Sequence, residues 1–379
     1  MKILISAGEA SGDRYAAELV AALRTRLPDA ELFGCAGPRL REQGVRAVVE
    51  TESLAVVGLL EVVRHIPRIW GEFRKLIAAA EREKPDLAIL TDAPDFNLRV
   101  AAKLKALGVP VVYYVAPQVW AWRSWRVKRI RRVVDKLLCI FPFEEAWFNQ
   151  RGVPTRYVGH PLADQLDQSG DRDAFLKKLD LDPQKPTLAV LPGSRKGEAA
   201  RHMPELLDAV DRLLAGRDLN VILPASSTTG EAFFAPFIGE RPIAIVENEA
   251  RRALQAADLA LVASGTASTE AALLGAPMVI FYRVTTPTYV LGKLLVDLPH
   301  YSMVNLLAER GIVPELIQED CTGERLAAEA LRILDNEESR ATMKRDLAQI
   351  RQTLQGSEPA AEIAAEEVCK TLGITGTGL

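Results

Sequence analysis

The chain has 379 residues, of which 48% are hydrophobic and 26% charged, and this indicates a globular protein with more than one domain. Its net charge of −3 argues against general nucleic-acid binding. The four dispersed cysteines favour neither a disulfide framework nor a zinc site, and suit a reducing compartment. No stretch reaches the roughly 20 apolar residues of a membrane span, so we expect a cytoplasmic protein.

Short apolar runs alternate with helical patterns, which predicts βαβ units and parallel sheets. The predicted strands are 2–7, 32–36, 87–91, 111–115, 137–141, 156–158, 187–191, 220–223, 243–246, 259–262 and 278–281. A polar, proline-containing stretch at 161–186 interrupts this alternation. We therefore predict an α/β protein with two Rossmann-like domains (1–165 and 166–345), a cleft between them, and a helical tail (346–379).

GEASGD, at residues 8–13, follows the first predicted strand. Gly8 and Gly12 permit a tight turn at the carboxyl end of that strand, where open α/β sheets bind ligands. The segment lacks the GxGxxG spacing, so a dinucleotide site is not predicted. Glu9 and Ser11 can hydrogen-bond sugar hydroxyls here. The alternative is a capped helix start, with Ser11 or Asp13 as the N-cap residue.

An apolar stripe at helical spacing runs through residues 56–77. Its members include Ile66, Ile69, Trp70 and Phe73, and the basic residues lie off the stripe. One interpretation is an ordinary helix packed on the sheet. The other is an interfacial helix, in which these four side chains contact lipid and the cations lie near headgroups.

DAPDFN, at residues 92–97, follows the strand predicted at 87–91. Asp92 is therefore expected at the carboxyl edge of the sheet, where a carboxylate can act as a general base on a hydroxyl nucleophile. The alternative is a helix N-cap at Asp95 or Asn97, and for Asp95 we favour that interpretation.

Residues 117–132 contain three of the five tryptophans together with six basic residues. This aromatic-basic run, which includes Gln118, Trp120 and Arg123, has the composition of a binding site for single-stranded nucleic acid. The same composition suits a phosphorylated amphiphile or an anionic membrane surface, and the negative net charge favours this second use. A solvated basic helix face is the structural alternative.

LPGSR, at residues 191–195, ends the strand predicted at 187–191, and helix-compatible sequence follows. A strand that leads through glycine to a helix N-terminus forms an anion site from backbone N–H groups and the helix dipole. Gly193 and Ser194 supply such amides, and Arg195 adds a guanidinium suited to phosphate. We therefore predict a phosphate-bearing ligand in the second half of the chain.

SGTASTE, at residues 264–270, follows the strand predicted at 259–262. The small residues Ser264, Gly265, Thr266 and Ala267 let a nucleotide approach the backbone at another helix N-terminus. Glu270, one turn into that helix, can accept hydrogen bonds from both ribose hydroxyls. The alternative is a capped turn without a ligand.

A D-x-D pattern at residues 171–173 formally matches the metal-binding motif of some sugar transferases. Because no apolar strand precedes it, we predict a helix N-terminus at this position. We expect neither a metal nor a cofactor.

Together these motifs resemble those of the lipid-A-disaccharide synthases. GEASGD, AGPR (36–39), DAPDFN, P-x-VWAWR (117–123), LPGSR, SGTASTE and YSMVNLL (301–307) follow one another in order, and the resemblance runs from residue 3 to about residue 320. One departure is Gln118, where the family more often has serine. The last motif carries over Asn305 as a polar contact on the donor side.

The resemblance implies a GT-B glycosyltransferase that inverts the anomeric centre without a metal. It implies transfer from UDP-2,3-diacylglucosamine to 2,3-diacylglucosamine 1-phosphate, giving the β-1,6-linked disaccharide 1-phosphate and UDP. Asp92 would be the general base, and Arg195 with the two phosphate turns would stabilise the departing diphosphate. Glu9 and Ser11 would face the sugars, and Glu270 would hold the ribose.

Both implied substrates carry acyl chains, so the family works at the inner face of the cytoplasmic membrane. The apolar stripe and the aromatic-basic run would then contact a surface with anionic lipid. The helical tail would either return to the N-terminal domain or be exchanged in a homodimer.

Two other interpretations remain open. Another UDP-sugar-using GT-B enzyme, such as a UDP-GlcNAc 2-epimerase or a muramyl-type transferase, would share the phosphate turns. An epimerase would need neither the apolar stripe nor the aromatic-basic run. A non-catalytic peripheral lipid-binding protein would leave Asp92, Arg195 and Glu270 without a shared purpose.

Overall fold

The computed structural model describes residues 1–54, 59–165, 170–226, 228–285, 289 and 298–374, without the side chains of 59–65. The chain divides into two compact units. The first contains Met1–Asp164 together with Leu354–Leu379, and the second contains Gln165–Thr353. Each unit is built on its own parallel sheet with helices between the strands.

The sheet of the first unit has seven strands in the order β3-β2-β1-β4-β5-β6-β7. The strands are β1 (Lys2–Ala7), β2 (Glu31–Ala36), β3 (Arg46–Glu50), β4 (Leu87–Thr91), β5 (Val111–Tyr114), β6 (Lys136–Cys139) and β7 (Thr155–Tyr157). β4 and β5 are buried at every position, as expected for a sheet covered on both faces. The order reverses between β1 and β4, and open α/β sheets bind ligands at such a switch point.

The helices of the first unit lie between these strands. They are α1 (Ala10–Arg26), α2 (Pro38–Glu42), α3 (Leu59–Glu83), α4 (Pro94–Ala106), α5 (Val119–Trp122), α6 (Val127–Val133), α7 (Pro142–Asn149) and α8 (Pro161–Asp164). Pro94 and Pro142 each occupy the first turn of a helix, where the fixed φ of proline favours helix initiation. The core of this unit joins the sheet to α3, α4 and α6.

The sheet of the second unit has six strands in the order β10-β9-β8-β11-β12-β13. The strands are β8 (Thr187–Leu191), β9 (Asn220–Ala225), β10 (Ile243–Glu247), β11 (Leu259–Ala263), β12 (Met278–Tyr282) and β13 (Glu315–Ile317). The helices are α9 (Arg172–Lys178), α10 (Lys196–Gly216), α11 (Glu231–Ile238), α12 (Ala250–Ala256), α13 (Thr266–Leu273), α14 (Met303–Ala308), α15 (Gly323–Leu334) and α16 (Glu337–Leu354). The switch point of this sheet lies between β8 and β11.

The last helix, α17 (Ala360–Thr371), packs with the first unit of the same chain. Lys136 Nζ, on β6, lies 2.7 Å from the Glu367 carboxylate. At the start of α17 the Ala360 N–H donates to Asp164 Oδ2 at 2.6 Å. Among the helices of the described residues, we find none with both the length and the apolarity needed to cross a bilayer.

The eleven predicted strands are confirmed, with ends that shift by a residue or two. β3 and β13 were not predicted. Both lie at the edge of a sheet, where one flank has no neighbouring strand, and both are only partly buried. Edge strands therefore need no continuous apolar run, and the sequence pattern that identifies central strands is missing from them.

Candidate active site

The carboxylate of Asp92 lies at the end of β4 and is held by the glycine turn that follows β1. Its Oδ1 accepts a hydrogen bond from the Gly8 N–H at 2.8 Å, and its Oδ2 accepts one from the Glu9 N–H at 3.1 Å. A Cβ atom on Gly12 would lie only 1.7 Å from Asp92 Oδ2. GEASGD and DAPDFN therefore form one site, at the switch point of the first sheet.

The backbone at this turn is strained. Asp92 has φ 53° and Ala93 has φ 38°, a left-handed conformation that is uncommon outside glycine. The buried Asn97 donates from Nδ2 to the Asp92 carbonyl at 3.1 Å, and the Tyr113 hydroxyl donates to the same oxygen. Ala93 is the N-cap residue of α4, so the N-cap interpretation of Asp95 and Asn97 is wrong. Strain held in place by neighbours is characteristic of functional sites.

Burial raises the pKa of Asp92 well above its usual range, and the negative charge of Glu9 acts in the same direction. The backbone amides of Gly8, Glu9 and Gly12 oppose this shift without cancelling it. A carboxylate with a raised pKa takes up a proton more readily near neutral pH, which is what a general base requires. Glu9 is exposed and Ser11 is half-buried, so both are accessible on the outer side of the same turn.

The space around the Asp92 carboxylate gives a direct test with two helical glycines. We expect Gly12→Ala to displace the carboxylate, to cost about 1–3 kcal/mol of stability by overpacking, and to lower the catalytic rate at this site at least about tenfold. Gly71→Ala in α3 is the matched control because nothing lies within 4 Å of its added Cβ. It should be neutral or slightly stabilising. Thermal unfolding and initial rates of both variants check this, and a fully active Gly12→Ala enzyme would contradict it.

Asp13, predicted as a possible N-cap of α1, caps α2 instead. It is buried, and its carboxylate accepts hydrogen bonds from the N–H groups of Gly37 and Arg39, both at 2.8 Å. The N-cap residue of α1 is Glu9, which makes no side-chain cap. AGPR therefore has a structural role, since it presents the N-terminus of α2 to Asp13.

The aromatic-basic run is anchored by a carboxylate that sequence reasoning missed. The indole N–H of Trp120 donates to Glu144 Oε1 at 2.9 Å, and the Phe141 N–H donates to Glu144 Oε2 at 3.3 Å. Burial raises the pKa of Glu144 to about 8. The available signal was its place as the third residue of α7, where a glutamate commonly accepts from the N-cap backbone.

The rest of this run is on or near the surface. Gln118 is exposed at the N-cap position of α5. Arg123 lies 3.5 Å from the Asp95 carboxylate and 3.7 Å from the centre of the Trp122 ring. Trp122 and Trp125 are 42% and 68% exposed, so large aromatic side chains face solvent beside arginines.

The strand–glycine–helix arrangement predicted for LPGSR is confirmed. β8 ends at Leu191, α10 begins at Lys196, and Arg195 is the N-cap residue without a side-chain cap. Gly193 has φ 110°, and a Cβ there would lie 3.0 Å from the Glu198 carboxylate. The turn needs glycine for both reasons, and it leads directly into the N-terminus of α10, the end of a helix that attracts anions.

His202, which sequence reasoning left unassigned, supports this turn from inside the second unit. It is buried, and its Nδ1 lies 2.8 Å from the Pro192 carbonyl. Its Nε2 accepts from the Arg283 N–H at 3.0 Å, so the proton belongs on Nδ1, which donates to Pro192. Burial lowers the pKa of His202, and the neutral ring can make both bonds. The sequence offered no signal beyond a histidine inside a helix.

The SGTASTE turn has the same arrangement after β11. Gly265 has φ 152° and is the N-cap residue of α13, while the buried Ser268 donates to its carbonyl at 2.7 Å. Gly265 and Thr266 are exposed, and Ser264 and Ala267 are half-buried. Because β8 and β11 are neighbours, the LPGSR and SGTASTE turns lie at the carboxyl edge of one sheet, at its switch point.

Glu270 forms an ion pair that was not predicted. Arg251 Nη2 lies 3.3 Å from Glu270 Oε1, and Arg251 also donates from Nη1 to the Gln165 carbonyl at 2.7 Å. This fixes one carboxylate oxygen of Glu270. Within the described part of the chain, no hydrogen bond engages Oε2, so this oxygen can accept a hydrogen bond from a ligand.

The structure does not support Asn305 as a ligand contact. Its Oδ1 accepts from the N–H groups of Ile312 and Val313 at 2.8 and 3.1 Å, and its Nδ2 donates to the Val313 carbonyl at 2.9 Å and to Glu315 at 2.7 Å. The side chain is buried, and its hydrogen bonds all join α14 to residues 312–315 of the same unit. This corrects the expectation taken from the family motif.

The apolar stripe divides into a buried and an exposed part. Phe73 is only 7% exposed and packs edge-on against Phe96 in the core, so it cannot contact a membrane in this conformation. Ile66 and Trp70 are 53% and 44% exposed, and Ile69 is half-buried. The candidate lipid-facing surface is therefore narrower than the sequence pattern predicts.

The D-x-D pattern forms the helix N-terminus that was predicted. Asp171 is the N-cap residue of α9, and its Oδ1 accepts from the Ala174 N–H at 3.0 Å. Within the described residues, no group of three or more His, Cys, Asp or Glu side chains is arranged to hold a metal ion.

The similar sequences found by comparison with known proteins share one description. The lipid-A-disaccharide synthase of Solibacter usitatus (strain Ellin6076) is 58% identical over 370 residues, covering 97% of both chains. That of Myxococcus xanthus (strain DK1622) is 48% identical, covering 98% of this chain and 97% of its own. Among solved structures, the UDP-GlcNAc 2-epimerase from Neisseria meningitidis bound to UDP-GlcNAc superposes with a TM-score of 0.65 at 12% identity, covering 99% of this chain and 100% of its own.

The likeness to the epimerase shows the fold alone, and the predicted GT-B class with two Rossmann-like domains is confirmed. The sequence match is more specific. Residues 3–368 match the family described as lipid-A-disaccharide synthetase. This chain therefore belongs to the lipid-A-disaccharide synthetase family.

Proposed function

We propose that this chain transfers the sugar of UDP-2,3-diacylglucosamine to the 6-hydroxyl of 2,3-diacylglucosamine 1-phosphate. The new bond joins O6 to the anomeric carbon with inversion, the bond to UDP breaks, and the hydroxyl proton passes to a base. The observation that carries the proposal is the Asp92 carboxylate, held by two backbone amides at a sheet switch point in a chain of this family.

Asp92 is the base in this proposal. Its raised pKa suits proton uptake from a hydroxyl, and the two amides fix the direction in which its free lone pairs point. Glu9 and Ser11 are accessible on the same turn and would hydrogen-bond the sugars. The acceptor elements thus belong to the first unit.

The donor elements belong to the second unit. Negative charge builds on the diphosphate as it leaves an oxocarbenium-like centre. The amides of Gly193 and Ser194, the Arg195 guanidinium and the N-terminus of α13 provide preorganised positive potential for that charge. Glu270, fixed by Arg251, would accept from the ribose hydroxyls through Oε2.

The alternative functions are not favoured. A likeness to an epimerase at 12% identity carries only the fold. An epimerase would also act on the UDP-sugar alone. Incubation of this chain with UDP-2,3-diacylglucosamine in the absence of acceptor should leave the donor unchanged, and added acceptor should release UDP. Conversion of the donor to a 2-epimer without acceptor would support the alternative.

Peripheral contact with the inner face of the cytoplasmic membrane is the second part of the proposal. Ile66 and Trp70 are spaced by one helical turn on α3 and are both exposed, and the Arg74 guanidinium lies 5.8 Å from the Trp70 ring. An exposed apolar pair beside a cation matches an interfacial helix that meets anionic lipid. Acylated substrates would be reached from that surface.

Replacing Ile66 and Trp70 with Ser tests this contact. We expect binding to vesicles of phosphatidylethanolamine and phosphatidylglycerol to weaken at least about tenfold, because about 2–3 kcal/mol of side-chain burial is lost per large residue. Turnover of short-chain soluble substrates should change little. Leu107→Ser is the control, since Leu107 is 45% exposed at the far end of α4. Equal vesicle binding by wild type and the double variant would show that Ile66 and Trp70 do not contact the membrane.

A further inference from the structure

A small cavity of about 60 Å³ lies in the first unit, between the start of α4 and the segment leading into α6. Its polar lining is Asp95, Arg99, Arg126 and Arg129, with Trp125 as the aromatic wall. We call these five residues the arginine pocket. Asp95 is part of DAPDFN, Arg99 lies on α4, and the other three belong to the aromatic-basic run. The mechanism above gives none of these five side chains a role.

The arginine pocket carries excess positive charge. Asp95 forms an ion pair with Arg126 and so offsets one of the three guanidinium charges. Arg129 donates from Nη2 to the Leu98 carbonyl at 3.3 Å, which leaves its charge uncompensated. Among the described residues, no carboxylate pairs with Arg99 or Arg129. Two guanidinium groups are therefore available to an anion, and the planar guanidinium fork fits phosphate oxygens.

The size of the cavity limits what can enter it. At roughly 15 Å³ for each water-sized group, 60 Å³ accommodates about four such groups. A phosphate monoester presents four oxygens around one phosphorus, which is close to this capacity. A sugar ring or a nucleotide base takes up more volume than this. The charge and the volume of the pocket together suit one phosphate group, with the rest of the ligand outside the pocket.

The arginine pocket is also close to the proposed base. α4 begins two residues after Asp92, and Asp95 and Arg99 lie on its first two turns. The hydroxyl of Tyr113, which donates to the Asp92 carbonyl, experiences the charges of Asp92, Asp95 and Arg126. An anion in the pocket would therefore contact the first two turns of α4, the helix that begins directly after the Asp92 turn.

We propose that the arginine pocket binds the phosphate monoester of the acceptor sugar and so orients the acceptor hydroxyl toward Asp92. This inference rests on the proposed function and adds an acceptor-phosphate site to it. A phosphate of the same chemistry is also present in anionic lipid headgroups. The experiment therefore has one arm for each source.

The first arm compares Arg99→Gln/Arg129→Gln with wild type on two acceptors, 2,3-diacylglucosamine 1-phosphate and the same sugar without its phosphate. We expect the KM for the phosphorylated acceptor to rise about tenfold or more, since charge-assisted hydrogen bonds are lost. The kinetic constants for the unphosphorylated acceptor and the KM for the UDP-sugar should stay near wild type. Lys103→Gln removes one exposed charge from α4 outside the pocket and is the control.

The second arm measures sedimentation of the same variants with phosphatidylglycerol vesicles. Vesicle binding close to wild type, together with the acceptor-specific rise in KM, supports the proposal. Weaker vesicle binding with an unchanged KM for the phosphorylated acceptor would overturn it in favour of a lipid headgroup site. Equal losses on both acceptors would also overturn it, because the phosphate would not be what the arginines recognise. If wild type releases no UDP with either acceptor, the proposed function itself fails, and that result is distinct from all of these.

Discussion

Asp92→Asn should lower kcat by about 10²- to 10⁴-fold, the range typical for removal of a general base, while UDP binds with near-normal affinity. The residues proposed above to bind UDP belong to the second unit, and Asp92 belongs to the first. Steady-state kinetics and calorimetric titration with UDP separate the two effects. Retention of full activity would show that Asp92 is not the general base.

The pH dependence sharpens this test. The base must be deprotonated to act, so kcat/KM should rise with pH through the pKa of Asp92. Because burial raises that pKa, the rise should lie above the range of ordinary carboxyl groups. The residual activity of Asp92→Asn should lack this rise with pH.

An asparagine has one acceptor oxygen where Asp92 has two, so the variant also loses one hydrogen bond from the Gly8 or Glu9 N–H. Its thermal unfolding should accordingly be measured beside its rate.

Arg195→Ala should lose both UDP affinity and turnover, because in the proposed mechanism the guanidinium contacts the diphosphate before and during its departure. Removal of one preorganised donor typically lowers the rate by about 10²- to 10³-fold. Arg212→Ala, on the same helix, is the control, since Arg212 is exposed and pairs only with Asp208 one turn away in the described structure.

The two variants give different signatures in the same titration. Unchanged UDP affinity in Arg195→Ala would exclude a contact with the diphosphate in the ground state. A loss of affinity equal in Arg195→Ala and Arg212→Ala would indicate a general charge effect of the helix. The account requires that only the first variant is impaired.

The central strands and the glycine turns after β8 and β11 could be predicted because each leaves a local signature. A buried strand is a continuous apolar run, and a turn with positive φ needs glycine, as at Gly193 and Gly265. The position of Asp92 followed from the same logic. What local sequence did not reveal is that Gly12 is required by the Asp92 carboxylate, since the two residues are far apart in the chain and meet only in the fold.

The supporting residues could not be predicted for a related reason. Glu144, His202 and Arg251 each fix a residue of a candidate site segment through a hydrogen bond or ion pair between residues 10 to 24 positions apart. Their residue types are common on helices, and their supporting roles can be recognised only from their burial and their partners in the fold. Phe73 and Asn305 show the opposite error. One lay on a helical stripe and the other in a family motif, and the structure turns both side chains inward.

The most direct test of the central claim is incubation of this chain with UDP-2,3-diacylglucosamine and 2,3-diacylglucosamine 1-phosphate. Released UDP and the lipid product are measured together, the latter by mass spectrometry and NMR. The account predicts one UDP for each disaccharide 1-phosphate formed, with a β-1,6 linkage. Absence of UDP release, or a product with an α linkage at the new bond, would contradict it.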